Sequence, residues 1–547
     1  MLRNLTTFNK SLINQQAMLK RFLLLLIAVI SIFTSSLRAQ SSFSQASQYK
    51  INTALDIISS RYVDKLSDDR LITDAILGIL KDLDPHSVYI PAKDLENVNE
   101  PLRGDFEGIG IQFNILNDTI MVISPISGGP SEKVGIQAGD KIVYADEELV
   151  AGVGITNEGV IKRLRGDKGT EVKIKVKRQD VKDLLEFTIT RDKIPIFSMD
   201  ASYMATPEIG YIKLNRFAAT TVNEFKKALK DLQNDGMHSL ILDIRGNGGG
   251  YLNEAIDLAD EFLSTDKLIV YTEGKSSTRR EALSTNKGGF EHGKLVVLTD
   301  EGSASASEIV SGALQDWDRA VIIGRRTFGK GLVQRDFSLP DQSVIRLTIA
   351  RYYTPTGRSI QKPYDKGIEA YQKEIIDRFE SGEVIHPDSI SFPDSLKYYT
   401  PNNRVVYGGG GIMPDIYVPL DTQYNSTYYT RLLQKGILIE FALQYVEDHR
   451  KELKIRYTTV EDFINNFDEE VAFKDLQAYA YSKGMDINST EATRSAPMIA
   501  LQTKALIARD MWNTSAYFQI INQKNNAFNK AVEVINQDDF KSMNILE

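Results

Sequence analysis

Cysteine is absent from all 547 residues, and histidine occurs only five times. The missing cysteine excludes disulfide bridges, thiolate catalysis and cysteine-ligated zinc. The histidines, at positions 86, 238, 292, 386 and 449, show no spacing typical of metal ligands. A structural zinc site or a Ser-His-Asp triad is therefore weakly supported. An excess of positive charge is also missing, because 65 basic against 73 acidic residues give a net charge of −8. Nothing in this balance indicates a nucleic acid as partner.

Long apolar runs are rare as well, and the N-terminus holds the main one. Lys20 and Arg21 precede a run from 22 to 33 that is apolar apart from Ser31, and small and polar residues follow up to Ala39. A charged start, an apolar stretch and a small-residue cleavage site are typical of an export signal. The run is shorter than the roughly 20 residues of a membrane span. We therefore predict a signal over residues 1–39 and an exported protein, periplasmic or in the cell envelope. An uncleaved signal that anchors the protein to the inner membrane is the alternative.

The most informative stretch runs from residue 295 to residue 334. An apolar run predicts a buried strand, a turn and a helix from about residue 305 follow, and a second strand leads to the turn Phe328-Gly329-Lys330-Gly331. A serine at a sharp strand-to-helix turn is exposed, and free N–H groups there can stabilise an oxyanion. A lysine in an apolar turn can lose its charge by desolvation and act as a base. Ser305 and Lys330 are the candidates for these two roles.

Ser305 and Lys330 also have other interpretations, which do not involve peptidase chemistry. Serines at helix starts usually cap the helix, and turn lysines are usually solvated. Residues 324–331 also come close to the phosphate-binding pattern G-x-x-x-x-G-K-[ST], which would indicate a nucleotide hydrolase. Glycine stands at position 331, where that pattern needs a hydroxyl, and the residues that follow favour a strand over a helix.

The segments GSASASEIVSGALQD and RRTFGKGLVQ resemble the active-site block of the C-terminal processing, or tail-specific, serine peptidases. The resemblance implies that Ser305 is the nucleophile, that Lys330 is the general base and that Gln334 orients the lysine. Asp316 also matches an acidic position of the family, for which a helix-anchoring role is expected. The implied fold is an α/β peptidase core of the crotonase/ClpP-like α+β type with an inserted PDZ domain and helical N- and C-terminal parts. No metal, nucleotide or organic cofactor is implied.

Residues 105–192 alternate short strands with turns and two short helices, in an order that resembles the circularly permuted PDZ domain of these peptidases. The resemblance makes Gly108, Ile109, Gly110 and Ile111 the loop that binds a chain-terminal carboxylate, while the substrate tail adds a strand alongside. The implied ligand is a protein with a free, apolar C-terminus.

From about residue 194 strands and helices alternate, which predicts a core with largely parallel pairing. One buried strand ends in Gly246-Asn247-Gly248-Gly249-Gly250. In the family the corresponding turn supplies an N–H to the oxyanion hole, and the residue after the nucleophile, here Ala306, supplies the other. Glycine replaces the usual proline at position 248, so that Gly249 and Gly250 both remain candidates. Asp243 and Arg245 beside this turn are expected to form a structural ion pair.

Together these observations predict an exported serine endopeptidase that recognises substrate C-termini; a catalytically silent PDZ scaffold is the alternative. The partners are protein substrates and no nucleic acid, while an envelope adaptor or regulator and a second copy of the chain stay open. The predicted divisions are a signal peptide, an N-terminal helical region, a PDZ domain, a peptidase core and a C-terminal helical domain: 1–39, 40–104, 105–192, 193–424 and 425–547.

Overall fold

A computed structural model describes residues 44–179, 181–386, 390, 393–486, 489–537 and 539–545. The predicted signal at residues 1–39 lies outside this range. Within the described part, none of the helices combines the length and the apolar character needed to cross a membrane. The chain divides into two compact units, Met1–Ile79 and Leu80–Glu547.

The first unit contains helix α1 (Gln45–Arg61) and the start of helix α2 (Asp68–Lys81). Ser44 caps α1, because its hydroxyl accepts the Ser47 N–H at 3.1 Å. The apolar residues of α1 recur at helical spacing but are exposed, among them Ile51, Ile57 and Ile58. The predicted helical character of this region is confirmed.

The second unit opens with strand β1 (Val88–Ile90) and helix α3 (Ala92–Arg103), and then forms the small β-rich domain. Its elements are β2 (Asp105–Gly108), β3 (Ile111–Leu116), β4 (Thr119–Pro125), α4 (Pro130–Val134), β5 (Lys141–Ala145), β6 (Glu148–Leu149), α5 (Asn157–Leu164), β7 (Glu171–Lys177), β8 (Leu185–Thr190) and β9 (Asp192–Pro195). The sheet is antiparallel, with strand order β3-β4-β5-β7-β8 and β6 beside β5. Strand β3 therefore lies at an edge, and the ribbon β2–β9 joins this domain to the rest of the unit.

The core that follows contains two large sheets and one two-stranded ribbon. Its elements are β10 (Met199–Met204), β11 (Ile209–Leu214), α6 (Thr221–Asn234), β12 (Ser239–Asp243), α7 (Leu252–Asp260), β13 (Leu268–Gly274), β14 (Ser277–Leu283), β15 (Leu295–Thr299), α8 (Ala306–Asp316), β16 (Val321–Gly324), β17 (Leu332–Ser338), β18 (Val344–Tyr353), α9 (Ile368–Glu380), β19 (Lys397–Tyr399), β20 (Val405–Tyr407) and β21 (Ile416–Tyr417). The main sheet has the order β10-β11-β12-β15-β16-β21 and is parallel except for β10, as predicted. The second sheet has the order β1-β18-β13-β14, with β17 beside β18.

The main sheet is covered on both faces, which explains why its central strands are uniformly apolar. All five residues of β15, LVVLT, are buried. One face packs against α6, α7 and α8. The other packs against two helices from the end of the chain, α16 (Asn526–Gln537) and α17 (Asp539–Ser542), through residues such as Phe528 and Phe540. The C-terminal end of the chain thus completes the core.

Between the core and α16 lies a helical domain with a hydrophobic core of its own. Its helices are α10 (Thr427–Gln434), α11 (Ile437–Arg456), α12 (Val460–Asn466), α13 (Glu469–Ser482), α14 (Ser489–Met511) and α15 (Thr514–Ile521). Ser426 caps α10 and Thr459 caps α12, each by accepting the N–H three residues ahead at 3.1 Å. These caps agree with the helical pattern that the sequence predicts here.

Candidate active site

Three loops leave the carboxyl ends of the neighbouring parallel strands β12, β15 and β16 and therefore meet at one edge of the sheet. Hydrogen bonds join them directly. The Ala304 N–H donates to Asn247 O at 3.0 Å, and the Phe328 N–H donates to Ser303 O at 3.0 Å. The loop that carries Ser305 is thus tied to the glycine-rich turn on one side and to the lysine turn on the other.

Ser305 lies at the start of α8 with φ 56° and ψ −111°. A positive φ is uncommon for a residue with a side chain, and such strain occurs mainly where the surrounding structure fixes it for a function. The chain turns sharply here from β15 into α8, which is the geometry expected for an exposed nucleophile at a helix start.

Lys330 is held by a short relay of hydrogen bonds. Its Nζ donates to Gln334 Oε1 at 3.0 Å, and the Gln334 amide donates in turn to the His86 carbonyl oxygen. Burial, followed by the nearby guanidinium of Arg346, lowers the pKa of Lys330, although the carboxylates of Glu308 and Asp84 oppose this. A lowered pKa favours the neutral amine that a general base requires.

His86 has a structural place in the loop that follows α2. Its backbone N–H donates to Asp84 Oδ1 at 2.8 Å, and its Nε2 lies 2.8 Å from the Tyr371 hydroxyl. Burial and the charge of Lys330 lower the pKa of His86 to about 4, so the ring is neutral near pH 7. The role of His86 in this site is to offer its carbonyl oxygen to Gln334.

Glu308 is a residue that the sequence analysis missed. It is fully buried and accepts four hydrogen bonds: from the N–H groups of Ser305 (2.8 Å), Gly329 (2.7 Å) and Lys330 (2.8 Å), and from the Thr327 hydroxyl (2.5 Å). One carboxylate therefore joins the backbone of Ser305 to that of Lys330. Burial raises the pKa of Glu308 to about 7, while the four donors favour the charged form. The spacing S-x-x-E from Ser305 is that of a capping box and could have indicated this residue.

Tyr352 makes a second connection between the same two turns. Its hydroxyl lies 3.0 Å from Ser305 O and within hydrogen-bond distance of Lys330 O. The side chain is 1% exposed, and burial raises the pKa of this hydroxyl well above its usual value, so that it remains a donor. Tyr352 belongs to β18, the strand that pairs with β17 directly after the lysine turn.

The glycine-rich turn lies directly against Ser305. A Cβ added to Gly249 would come within 2.9 Å of Ser305 Cβ and 3.0 Å of Ala306 N. The Gly249 N–H, however, already donates to Asn247 Oδ1 at 2.9 Å. The N–H of Gly250 and that of Ala306 donate to no acceptor in the part of the chain that the structure describes. Of the two glycines, Gly250 is thus the one whose backbone N–H is not already hydrogen-bonded.

A cavity of about 820 Å³ brings the predicted residues together. It is lined by Ser305, Lys330, Gln334, Ala306, Gly249 and Gly250. Apolar side chains, among them Leu102, Ile309 and Leu332, line it as well. The arrangement can hold an extended peptide against a serine that has a lysine and amide donors nearby.

The predicted carboxylate-binding loop, Gly108 to Ile111, lies in the small β-rich domain. The carbonyl oxygen of Ile109 accepts the Ser131 N–H and hydroxyl, and that of Gly110 accepts the Ile126 N–H. The N–H groups of Ile109 and Gly110 find no acceptor among the described residues. The loop is thus fixed through its oxygens, and these two donors beside the edge strand β3 are unused in the described chain.

Two further predictions concern charged residues around the site. Asp243 and Arg245 form the expected ion pair at 2.6 Å. Asp316, at the end of α8, pairs with Arg358 at 2.7 Å with both side chains fully buried, so it anchors the helix. The interpretation of residues 324–331 as a phosphate-binding loop is not supported, because the chain after Lys330 continues as strand β17 and such a loop would need a helix there.

Family models match most of the chain in separate segments. The model of peptidase family S41 matches residues 208–370, a PDZ domain model matches 108–189, and a model of the N-terminal domain of the activating protease CtpB matches 31–94. A family of unknown function (DUF8443) matches residues 428–513. The carboxy-terminal-processing protease of Bartonella bacilliformis is 37% identical over 342 residues, which are 62% of this chain and 77% of that protein. The chain is a member of the C-terminal processing serine peptidase family.

One further relative and one solved structure are similar to this C-terminal processing peptidase. The carboxy-terminal processing protease CtpB of Bacillus subtilis is 36% identical over 326 residues, 58% of this chain and 66% of that one. The solved photosystem II D1 C-terminal processing protease shares 25% identity over 68% of this chain and 93% of its own, with a TM-score of 0.35. Family membership confirms the predicted resemblance, the fold class and the serine endopeptidase activity, and it favours an enzyme over a silent scaffold.

Proposed function

We propose that this C-terminal processing peptidase cleaves with Ser305 as nucleophile and Lys330 as general base, and that its PDZ domain selects substrates by their C-termini. The observation that supports this assignment best is the anchored position of Lys330. Its Nζ is held by Gln334 in the same cavity that Ser305 lines. Both turns are braced by one buried carboxylate, that of Glu308.

In this mechanism the neutral Lys330 amine takes the proton of the Ser305 hydroxyl as the oxygen attacks the scissile carbonyl carbon. The ammonium then gives the proton to the leaving amine, and the acyl-enzyme is hydrolysed by water with Lys330 acting as the base once more. Gln334 keeps the Nζ in place through both steps. The lowered pKa of Lys330 supports this role, because it raises the fraction of neutral amine near neutral pH.

The tetrahedral intermediate needs donors for its oxyanion, and we assign the N–H groups of Ala306 and Gly250 to this task. Both lie in the cavity and have no other acceptor in the described chain. Gly249, which has no side chain, then keeps the space beside Ser305 open. A single donor of this kind is worth roughly 3 kcal/mol of transition-state stabilisation in other enzymes.

Recognition of the substrate tail is assigned to the loop Gly108 to Ile111 and to the free edge of β3. The unused N–H groups of Ile109 and Gly110 can bind the terminal carboxylate, and the tail can pair with β3 as an added strand. Helix α5 contributes Val160 and Leu164 to the core of the same domain.

We further propose that the protein is exported to the periplasm or cell envelope, with residues 1–39 as its signal. The support is the sequence pattern of that segment. N-terminal sequencing of the mature protein from the envelope fraction should find Gln40 at or near the start. An intact residue 1 on membrane-bound protein would instead establish an uncleaved anchor. The mass of the native particle from that fraction tests for an envelope adaptor or a second copy of the chain.

The decisive experiment compares the chain from residue 40 onward with its Ser305→Ala and Lys330→Ala variants. The substrate is an unfolded protein with an apolar C-terminus, offered as the free acid and as the amide. Each variant should lose at least about 10⁴-fold in kcat/KM while it keeps the wild-type Tm. The exposed Ser264→Ala and Lys366→Ala changes are the matched controls and should cleave normally.

The two substrates separate the proposal from its alternative. Slower cleavage of the amide supports tail recognition by the PDZ domain. A wild-type protein that binds the tail but never cleaves it would instead support the silent scaffold.

A further inference from the structure

Strand β4 departs from the alternation expected of a surface sheet. Four apolar residues follow one another from Ile120 to Ile123. Ile120 and Val122 point into the core of the PDZ domain and are 1% and 0% exposed. Met121 and Ile123 therefore point to the opposite face, which is solvated in an antiparallel sheet that is free on one side. This pattern indicates that something covers the outer face.

The cover is helix α11 of the C-terminal helical domain. Leu443 packs against Leu116 and Met121 in a small cluster in which all three are at most 4% exposed, and Ile123 lies beside it. This cluster is separate from the core of the PDZ domain and from that of the helical domain. It joins α11 to the hairpin β3–β4, whose first strand has the free edge assigned above to the substrate tail.

An ion pair completes the contact. Lys141 Nζ lies 3.0 Å from Glu447 Oε1, one helical turn after Leu443. The Glu447 side chain is only 12% exposed, because the backbone at Gly139 approaches so closely that a Cβ there would be 3.4 Å from Glu447 Oε2. A partly buried pair beside an apolar contact fixes the orientation of the two surfaces as well as their affinity.

The second attachment of the PDZ domain is at its other end. The ribbon β2–β9 carries both chain connections, and Arg165 pairs there with Glu100 of α3 and stacks on Phe106, 4.4 Å from the ring centroid. A domain held by a two-stranded ribbon alone can swing about it. The contact with α11 holds the domain at a point away from the ribbon and so opposes this swinging motion.

We propose that helix α11 is a docking surface that holds the PDZ domain in a fixed orientation towards Ser305, and that this docking gives substrates with free C-termini their advantage. A bound tail presents the residues upstream of it to Ser305 at an effective concentration that depends on how narrowly the PDZ domain is positioned. With the PDZ domain docked in this way, the structure contains the hydrogen bond from Lys330 Nζ to Gln334 Oε1. The region that the model DUF8443 matches thereby acquires a role in substrate selection. The catalytic part of this inference rests on the proposed tail recognition, whereas docking itself does not.

Docking can be measured without any activity. The chain has no cysteine, so Lys173→Cys on the PDZ domain and Lys454→Cys on α11, both exposed, take spin labels at these two sites alone. Electron spin resonance should give one narrow distance distribution for this pair. Glu447→Lys and Lys141→Glu each place like charges together and should broaden it, and so should Leu443→Asp. The double charge swap Lys141→Glu/Glu447→Lys should restore the narrow distribution, and Glu452→Lys, on the exposed side of the same helix, should leave it unchanged.

The same variants test the link to catalysis. In Glu447→Lys the ratio of kcat/KM for the free-acid substrate to that for the amide should fall about fivefold, and the swap should restore it. Circular dichroism shows which variants keep the helical domain folded, and Glu447→Lys serves as the test if Leu443→Asp does not fold. A narrow distribution in Glu447→Lys would overturn the docking, and a broad one with an unchanged ratio would overturn its role in selection. If the wild type shows no preference for the free acid, the proposed tail recognition fails, while the distances still decide the docking.

Discussion

Two glycine-containing segments of this peptidase differ in how their backbone is held. Around Ser305 side chains hold the backbone in place: Glu308 accepts four donors and the Gly249 N–H donates to Asn247, while only the N–H groups assigned to the oxyanion, those of Ala306 and Gly250, have no acceptor in the described chain. In the loop Gly108 to Ile111 the carbonyl oxygens are engaged, whereas the N–H groups of Ile109 and Gly110 have no acceptor in the described chain. A segment that positions a reacting atom is braced by its own side chains. A segment that captures a ligand keeps donors unused until the ligand arrives.

This difference predicts different kinetic consequences for small changes in the two segments. Changes in the braced segment displace reacting atoms and should lower kcat, because catalysis depends on distances between those atoms. Changes in the open loop should weaken binding of the tail and raise KM, with kcat preserved.

Among small changes in these two segments, the largest effect is expected from Gly249→Ala. The new Cβ would meet Ala304 O at 2.8 Å and Ser305 Cβ at 2.9 Å, and the position has a φ of +98° that favours glycine. Ser305 must move, and kcat should fall about 10²- to 10³-fold. Gly248→Ala is the matched control, since its Cβ meets nothing within 4 Å. Steady-state kinetics of both variants decide the matter, and equal activities would show that the turn tolerates displacement.

A smaller loss in kcat, about 10- to 100-fold, is expected from Glu308→Gln. A glutamine oxygen can still accept, but its NH₂ group faces two donors, so that two of the four hydrogen bonds are lost. The pH profile of the wild type supplies a second measurement. The braced form needs the ionised carboxylate, whose pKa is about 7, so activity should fall as the pH drops through 7. Lys330 acts in the same direction, because its neutral form increases with pH.

The glutamine variant separates these two contributions. The activity of Glu308→Gln should no longer decline near pH 7 and should keep only the pH dependence that is due to Lys330. Glu261→Gln is the matched control: Glu261 is also buried and accepts the Gly289 N–H at 3.0 Å, but it lies outside the cavity that Ser305 lines. A Glu308→Gln profile that still falls through pH 7 would show that another group titrates there.

The same comparison explains which parts of the molecule could be predicted from the sequence. Ser305, Lys330 and Gln334 lie within thirty residues of one another, and the strand, turn and helix that carry them follow from local apolar patterns. The parallel main sheet follows from the alternation of strands and helices. The candidate glycines could be named for the same reason, because they end a recognisable buried strand.

What could not be predicted depends on contacts between distant residues. Gln334 reaches the carbonyl oxygen of His86, 248 positions earlier, and no local pattern indicates this. Helices α16 and α17 look like ordinary amphipathic helices in the sequence, yet they cover the second face of the main sheet. The choice between Gly249 and Gly250 depended on the side-chain rotamer of Asn247, which only the folded turn determines.

The smallest effect is expected in the open loop, from Gly110→Ala. Its φ of +75° costs an alanine about 1 kcal/mol, and the new Cβ would lie 2.8 Å from Ile194 Cδ1, so the loop must shift and its N–H groups lose their aim. KM for a substrate with a free C-terminus should rise about fivefold, with kcat unchanged, if the shifted N–H groups lose about 1 kcal/mol of carboxylate binding. Gly128→Ala has the same backbone strain, at a φ of +74°, with nothing within 4 Å of its Cβ. Gly128→Ala should lower Tm about as much as Gly110→Ala does and leave KM unchanged, because its strain lies away from the N–H donors of the loop. A rise in KM for both variants would mean that strain anywhere in the PDZ domain weakens binding, and a fall in kcat for Gly110→Ala would mean that this loop is coupled to the braced segment after all.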